Sequence, residues 1–139
     1  MEGLTEAQWH QPVSATDRRP VGVVVHHVAY IYPVEIEAAR AIGAGRAVET
    51  AWPAIAELNA RPAAENANVT KAAALEILAR NNHAAAAAVR AFTDEELDRA
   101  ATFGLSDGAT VTAQYVIEEH ALRHAWHHLA KIKEAVGRA

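Results

Sequence analysis

The stretch VGVVVHHVAYIYPVEIEAARA, residues 21–41, decides the fold of this chain. Apolar side chains recur in it at the spacing of a helix with one core-facing side. Pro20 suits the start of such a helix because the first turn needs no N–H from it. The segment 43–45, Gly-Ala-Gly, ends the helix. Pro33 removes one backbone hydrogen bond and crowds Ala29, so we expect a kink there.

Helical patterns fill most of the remaining chain. Two capping boxes, Thr5-Glu6-Ala7-Gln8 and Thr93-Asp94-Glu95-Glu96, each open a short helix. The other expected elements are a helix over 47–60 ended by Asn59-Ala60-Arg61-Pro62, a long helix from Ala63 or Val69 to Phe92, a loop over 102–108, and a last helix over about 110–136. No segment stands out with the two-residue alternation of a strand, and no internal repeat stands out. The pattern predicts one all-α domain over residues 1–139, an antiparallel four-helix bundle.

Composition narrows the class of function. Alanine makes up about a quarter of the 139 residues, which is typical of helical proteins. The chain carries 13 basic and 17 acidic residues and a net charge of −4, with no basic stripe. This balance disfavours binding to nucleic acid or to a membrane surface. Cysteine is absent, which excludes disulfides, thiolate ligands and thiol nucleophiles. The chain shows no membrane-length apolar run and no signal at its N-terminus, so we expect a soluble cytoplasmic protein.

Three of the eight histidines point to one site. At about 100° per residue, His27 falls in the apolar stripe of its helix, whereas His26 points away from it. On the last helix His128 lies inside the apolar arc and His124 lies at its edge, one turn away. Imidazoles buried side by side need partners for their nitrogens. A shared metal ion would provide them and would leave a coordination position open, as in catalytic sites.

Other readings of the histidines remain open. They can hydrogen-bond to backbone or water, or line a helix surface, and pairs four residues apart also arise by chance. Known catalytic patterns are not matched. A zincin needs glutamate directly after the first histidine of the pair, but Ala121 follows His120 and Ala125 follows His124. No glutamate has histidine three residues later, as a di-iron bundle requires. No serine nucleophile signature is present.

Several segments resemble DinB/YfiT-like proteins. Val25-His26-His27-Val28-Ala29 is similar to the segment with that family's first metal histidine, and His124 to Ile132 is similar to its second histidine motif. Residues 4–12 and 21–23 resemble the lead-in, and 92–98 resembles the link before the last loop. The resemblance implies a four-helix bundle in which His27, His124 and His128 hold a divalent ion. It also implies a relation to thiol-dependent enzymes such as mycothiol-dependent maleylpyruvate isomerase and bacillithiol transferases.

The chain departs from that family pattern at three places. Leu129-Ala130-Lys131 replaces the Arg-Gly-Gln of the second motif, the first helix is almost missing, and an extra stretch occupies 47–68. A short first helix would leave a groove of the bundle open. Either the extra stretch or a second subunit would cover that groove, and in the second case we expect a homodimer.

Three further residues are candidates for the substrate pocket. Asn82 lies in the apolar stripe of the long helix, where it either satisfies a core carbonyl or lines the pocket. Glu35 lies near the edge of the His27 stripe, where it either orients a ligand imidazole or is solvated. Tyr30 either lends a phenol to the pocket or packs in the core. Trp9, Trp52 and Trp126 are expected to be packing anchors.

Two classes of function follow from these patterns. The first is a metal-dependent enzyme acting on a small molecule, with zinc as the first choice of metal and nickel, iron or manganese as alternatives. In that case a low-molecular-weight thiol is a candidate cosubstrate for transfer or isomerisation, and hydrolysis is a further option. The second is a metal-free bundle that binds a small ligand or a protein partner. A third hypothesis is a stress-related protein whose metal only stabilises the fold.

Overall fold

The computed structural model describes residues 1–137, which form an all-helical bundle with one small hairpin. A 3₁₀ turn, Gly104–Ser106, lies inside the hairpin, and a π-helical segment, Ile117–Leu122, joins the last two helices. The elements in chain order are α1 Glu6–His10, α2 Val21–Gly43, α3 Trp52–Glu65, α4 Lys71–Arg90, α5 Asp94–Asp98, β1 Ala100–Thr102, β2 Thr110–Thr112, α6 Ala113–Val116 and α7 Arg123–Ala135.

Helix α2 is the centre of the bundle, with α4 and the C-terminal helical run packed around it. Its first turns join a cluster of buried side chains with Trp9 and Ile132. Its last turns join a second cluster around Ile42 and Phe103. The middle of α2, between the two clusters, carries His27 and Glu35.

The short α1 is fixed to this centre by one large side chain. Thr5 and Gln8 form the expected capping box. Trp9 is 1% exposed, and its indole N–H donates to the carbonyl of Val69 at 2.9 Å. A Cβ added at Gly22 would lie 2.4 Å from the Trp9 ring, so only glycine lets the indole lie against α2. The N-terminal segment is therefore held to the bundle by the packing of Trp9, although α1 itself is short.

Pro33 does not end α2, because a side chain of α4 replaces the missing partner. A proline has no N–H to donate to the carbonyl four residues earlier, which here belongs to Ala29. Asn81 donates its side-chain N–H to that carbonyl at 2.8 Å. The amide that meets a core carbonyl is thus Asn81, and its neighbour Asn82 is exposed. The expectation that Asn82 lies in the buried stripe was wrong by one residue, because α4 is rotated so that Asn81 faces α2.

Helix α3 differs from its predicted bounds at both ends. It begins at Trp52 and continues through Pro62 to Glu65, and none of its residues is buried. Pro62 is tolerated because the carbonyl it leaves unpaired, that of Leu58, lies on an exposed helix that water reaches.

Trp52 and Trp126 are 56% and 65% exposed. The expectation that they are packing anchors was therefore wrong, and only Trp9 is one.

The last predicted helix begins later and is less regular than expected. Residues 110–112 pair with 100–102 as a two-stranded antiparallel hairpin. The predicted loop over 102–108 and the predicted helix from about 110 did not include these strands. Asp107 and Gly108 turn the chain with positive φ values of 54° and 77°. A π-helical segment then precedes α7, so the phase of the helix changes just before His124.

Within residues 1–137, we find no helix with both the length and the apolar character needed to cross a membrane.

Candidate metal centre

Three imidazoles from two parts of the chain meet between α2 and α7. His124 Nε2 lies 3.3 Å from His27 Nε2 and 2.9 Å from His128 Nε2. The possible ligand nitrogens of the three side chains all lie within 4.8 Å of one another. Their rings stand nearly at right angles, with interplanar angles of 82–87°. The structure thus brings together the three histidines that the sequence singled out.

The spacing of these nitrogens fits one small divalent cation. Bonds of about 2.0–2.1 Å at tetrahedral angles place ligand nitrogens roughly 3.3–3.4 Å apart. The distances from His124 Nε2 lie at or slightly below that value. Without a cation, three ring nitrogens would face one another with few donors between them. The donor set, three imidazoles and no thiolate, is one that zinc and other first-row metals accept.

Burial favours the neutral, ligand form of two of the rings. Desolvation, followed by the proximity of His124, lowers the pKa of His27 to about 4. The same two causes lower the pKa of His128 to about 3. A neutral imidazole keeps a lone pair free for a metal, so both side chains are in the ligand form at neutral pH.

Glu35 lies behind the third ring. Its Oε1 is 3.0 Å from His124 Nδ1, and its side chain is almost fully buried. The alignment of this contact is not that of a hydrogen bond, and His124 Nδ1 has no other partner among the described residues. Burial raises the pKa of the Glu35 carboxyl, and His124 opposes that rise. A carboxylate in this position favours a proton on Nδ1 and so leaves Nε2 free to bind metal.

His26 is buried, although the sequence placed it away from the core. It is 6% exposed, stacks on Tyr30 with ring centroids 6.3 Å apart, and its pKa is lowered by burial. The prediction that only one side of α2 faces the core was wrong, because α2 is the central helix and is covered on more than one side. His26 is not part of the three-histidine cluster.

An open cleft of about 520 Å³ leads to the cluster. His27, His124 and Glu35 are among the residues that line it. Its walls are mostly apolar and include, from α2, α3 and the hairpin region, Ile31, Val34, Trp52, Ile55, Leu58, Phe103 and Leu105. The extra stretch of the sequence therefore forms one wall of this cleft. His128 lines a different cavity on the other side of α7.

The other pocket candidates lie in different places. Asn82 lines the second cavity, of about 420 Å³, together with His128 and Trp126. Tyr30 is 40% exposed and is not among the residues that line either cavity.

The sequence analysis did not single out two residues that line the cleft near the histidines. His120 lines the cleft, with its ring 5.0 Å from that of Phe103. The sequence analysis did not place it in a site, because the π-helical segment that carries it shifts the phase of the last helix. Asn59 lines the cleft from α3 and was read only as the end of a helix. The sequence signal for Asn59 as a cleft residue is its place among apolar residues that recur at helical spacing.

The fold and the cluster define a class of protein, a helical bundle with a candidate centre of three histidines. A family model described as the DinB superfamily matches residues 1–132. The chain therefore belongs to the DinB superfamily, in agreement with the resemblance of its histidine motifs. Neither a curated protein nor a solved structure matches it.

Proposed function

We propose that this protein is a metal-dependent enzyme that acts on a small molecule bound in the cleft. The observation that carries the proposal is the convergence of the ring nitrogens of His27, His124 and His128, two of whose rings, those of His27 and His124, line a mostly apolar cleft. A purely structural site would be closed on all sides, whereas this one has an open approach on the side of His27 and His124.

Each residue has a defined part in this proposal. His27, His124 and His128 would hold the ion, with zinc as our first choice and nickel, iron or manganese as alternatives. When bound, such an ion supplies a Lewis acid and lowers the pKa of a coordinated water or thiol. Glu35 keeps the His124 ring in the tautomer and orientation that present Nε2. The apolar walls bury the substrate and exclude bulk water.

The class of reaction follows from family resemblance rather than from geometry. The thiol-dependent members to which the motifs are similar make a low-molecular-weight thiol our proposed cosubstrate, for transfer or isomerisation. Hydrolysis is the alternative reaction at the same ion. The absence of cysteine from the chain is consistent with a thiol that arrives as a separate molecule.

The test is the metal content of protein purified without a histidine tag. We expect about one divalent ion per wild-type chain after incubation with zinc and removal of excess. His128→Ala should lose most of this ion and any thiol-dependent activity. His83→Ala removes an exposed histidine of α4 that lies outside the cluster, so it should keep both. Circular dichroism would establish that each variant is folded.

The same measurement separates the alternatives. A wild-type protein that holds no metal, with melting unchanged by chelator, would overturn the proposal in favour of a metal-free binding or interaction bundle. Metal that raises the melting temperature without turnover of any thiol or substrate would leave a stabilising ion only. The expected homodimer is a separate proposal, which sedimentation of the same samples would test.

A further inference from the structure

Helix α3 presents one face to the cleft. Trp52, Ile55, Leu58 and Asn59 line the cleft, and they recur at intervals of three or four residues. Asn59 is the polar member of this otherwise apolar face. Since α3 has no buried residue, its contribution to the core is small and its cleft-facing side chains are free to serve binding.

The side-chain oxygen of Asn59 is buried and lacks a hydrogen-bond donor among the described residues. Three other polar side chains along the cleft already have partners. The indole N–H of Trp52 donates to the carbonyl of Leu105 at 3.1 Å, and Arg123 pairs with Glu119. A buried oxygen without a donor is unfavourable, and the structure keeps few of them. The missing donor can come from a molecule in the cleft.

A second acceptor in the same cleft strengthens this reading. Glu35 Oε2 is also buried and also lacks a hydrogen-bond partner among the described residues. Both groups accept hydrogen bonds in their ordinary forms, and the surrounding walls are mostly apolar. The cleft therefore matches molecules that combine an apolar body with N–H or O–H groups.

We propose that Asn59 is a specificity-determining residue, whose side-chain oxygen accepts a hydrogen bond from an N–H or O–H group of a largely apolar, aromatic-sized substrate. This inference rests on the small-molecule function proposed above. A site built to hydrogen-bond a donor discriminates against an analogue that lacks it, because its own polar group is then left unpaired. The extra helix of this chain thus selects the substrate, while the histidines of α2 and α7 hold the ion.

Indole and benzofuran are suitable probes because they have nearly the same shape, but only indole carries an N–H. Their dissociation constants would be measured by ligand-observed NMR on chelator-treated protein, so that binding does not depend on metal. We expect indole to bind wild-type protein roughly 3- to 10-fold more tightly than benzofuran. Asn59→Leu, of similar size, should remove this preference, and Asn59→Asp, which keeps an acceptor, should retain it.

Glu57→Leu is the matched control, since Glu57 is exposed on α3 and does not line the cleft. It should leave the preference for indole unchanged. Equal affinities in wild-type protein, a preference for benzofuran, a preference that survives Asn59→Leu, or no binding of either probe would each overturn the inference. Metal content of the same samples is read separately. A chain that binds no metal but prefers indole refutes only the metal-dependent function, and one that binds metal without the preference refutes only the role of Asn59.

Discussion

Helices α2 and α3 both contribute to the cleft, yet they stand in opposite relations to the core. Fourteen of the 23 residues of α2 are buried, and none of the 14 residues of α3 is. α2 contributes His27 and Glu35 from a helix that is held by its neighbours over its whole length. α3 contributes Trp52 and Asn59 from a helix that the core does not require. The comparison indicates that the candidate metal centre and the core share a helix, whereas the α3 wall of the cleft is separate from the core.

The same truncation on both helices should give the largest contrast. Ile42 of α2 is 0% exposed, and Ile42→Ala removes buried methyl groups and leaves a cavity, at a cost of about 2–5 kcal/mol in unfolding free energy. Ile55→Ala on α3 should cost less than about 1 kcal/mol, because Ile55 is only partly buried. Urea denaturation of both variants measures the two costs. Equal costs would show that α3 belongs to the core.

Acid should destabilise the metal-free protein through the buried rings. The folded state holds His27 and His128 neutral, with pKa values of about 4 and about 3, whereas both rings titrate near 6.5 in the unfolded chain. The stability that these two rings contribute is therefore present above pH 6.5 and is lost as the pH falls through 6.5 towards 4. At full strength the two shifts correspond to about 5 kcal/mol between pH 7 and pH 4.5. Because the rings are not completely shielded from water, we expect the unfolding free energy to drop by roughly 3 kcal/mol over this interval.

The control for this pH dependence is the double variant His27→Gln/His128→Gln. It removes both buried bases, so its stability should change much less over the same pH interval. Denaturation curves at fixed pH values would compare the two proteins. The prediction fails if the double variant loses as much stability as the wild type.

A methyl group added to α2 near its start should cost less than the cavity at Ile42. Gly22→Ala places a Cβ against the Trp9 ring, at 2.4 Å in the present packing, so the indole must move and its hydrogen bond to Val69 weakens. We expect a loss of about 1–3 kcal/mol. Ala56→Val, which enlarges an exposed residue of α3, should change stability by less than about 0.5 kcal/mol. Thermal unfolding of the pair is the measurement.

The smallest expected effect concerns the proline that α2 tolerates. Asn81→Ala leaves the Ala29 carbonyl without its donor and should cost about 1 kcal/mol. The cost should shrink in a Pro33→Ala background, where residue 33 again supplies an N–H to that carbonyl. Asn82→Ala is the matched control and should be close to neutral. A double-mutant cycle measures the coupling, and additive effects would refute the assignment.

The sequence predicted those parts of the fold that depend on local chemistry. Both capping boxes, at Thr5 and Thr93, start helices as expected. The apolar stripe of α2 and the spacing of His124 and His128 were enough to bring the three rings into one hypothesis. The family and the all-helical class followed from these motifs and are confirmed.

The features that the sequence missed depend on tertiary packing. Strands of three residues, such as 100–102, are too short to show a period. The buried environment of His26 arises because α2 is covered on several sides, which no single helix reveals. α3 runs past Asn59 because a proline in an exposed helix leaves only a solvated carbonyl unpaired. The role of Asn81 required knowing which turn of α4 faces Pro33.

The π-helical segment 117–122 bears on where this chain tolerates a lost residue. Its i→i+5 bonding accommodates about one residue more per turn than an α-helix does, directly before His124 and His128. Deleting one residue from this segment would let it close as ordinary α-helix, with both rings still on the side of α2. Deleting one residue between His124 and His128, where the helix is regular, would instead turn the His128 ring by about 100° away from the other two. Gaps in an alignment are therefore compatible with the candidate centre before this pair and not within it.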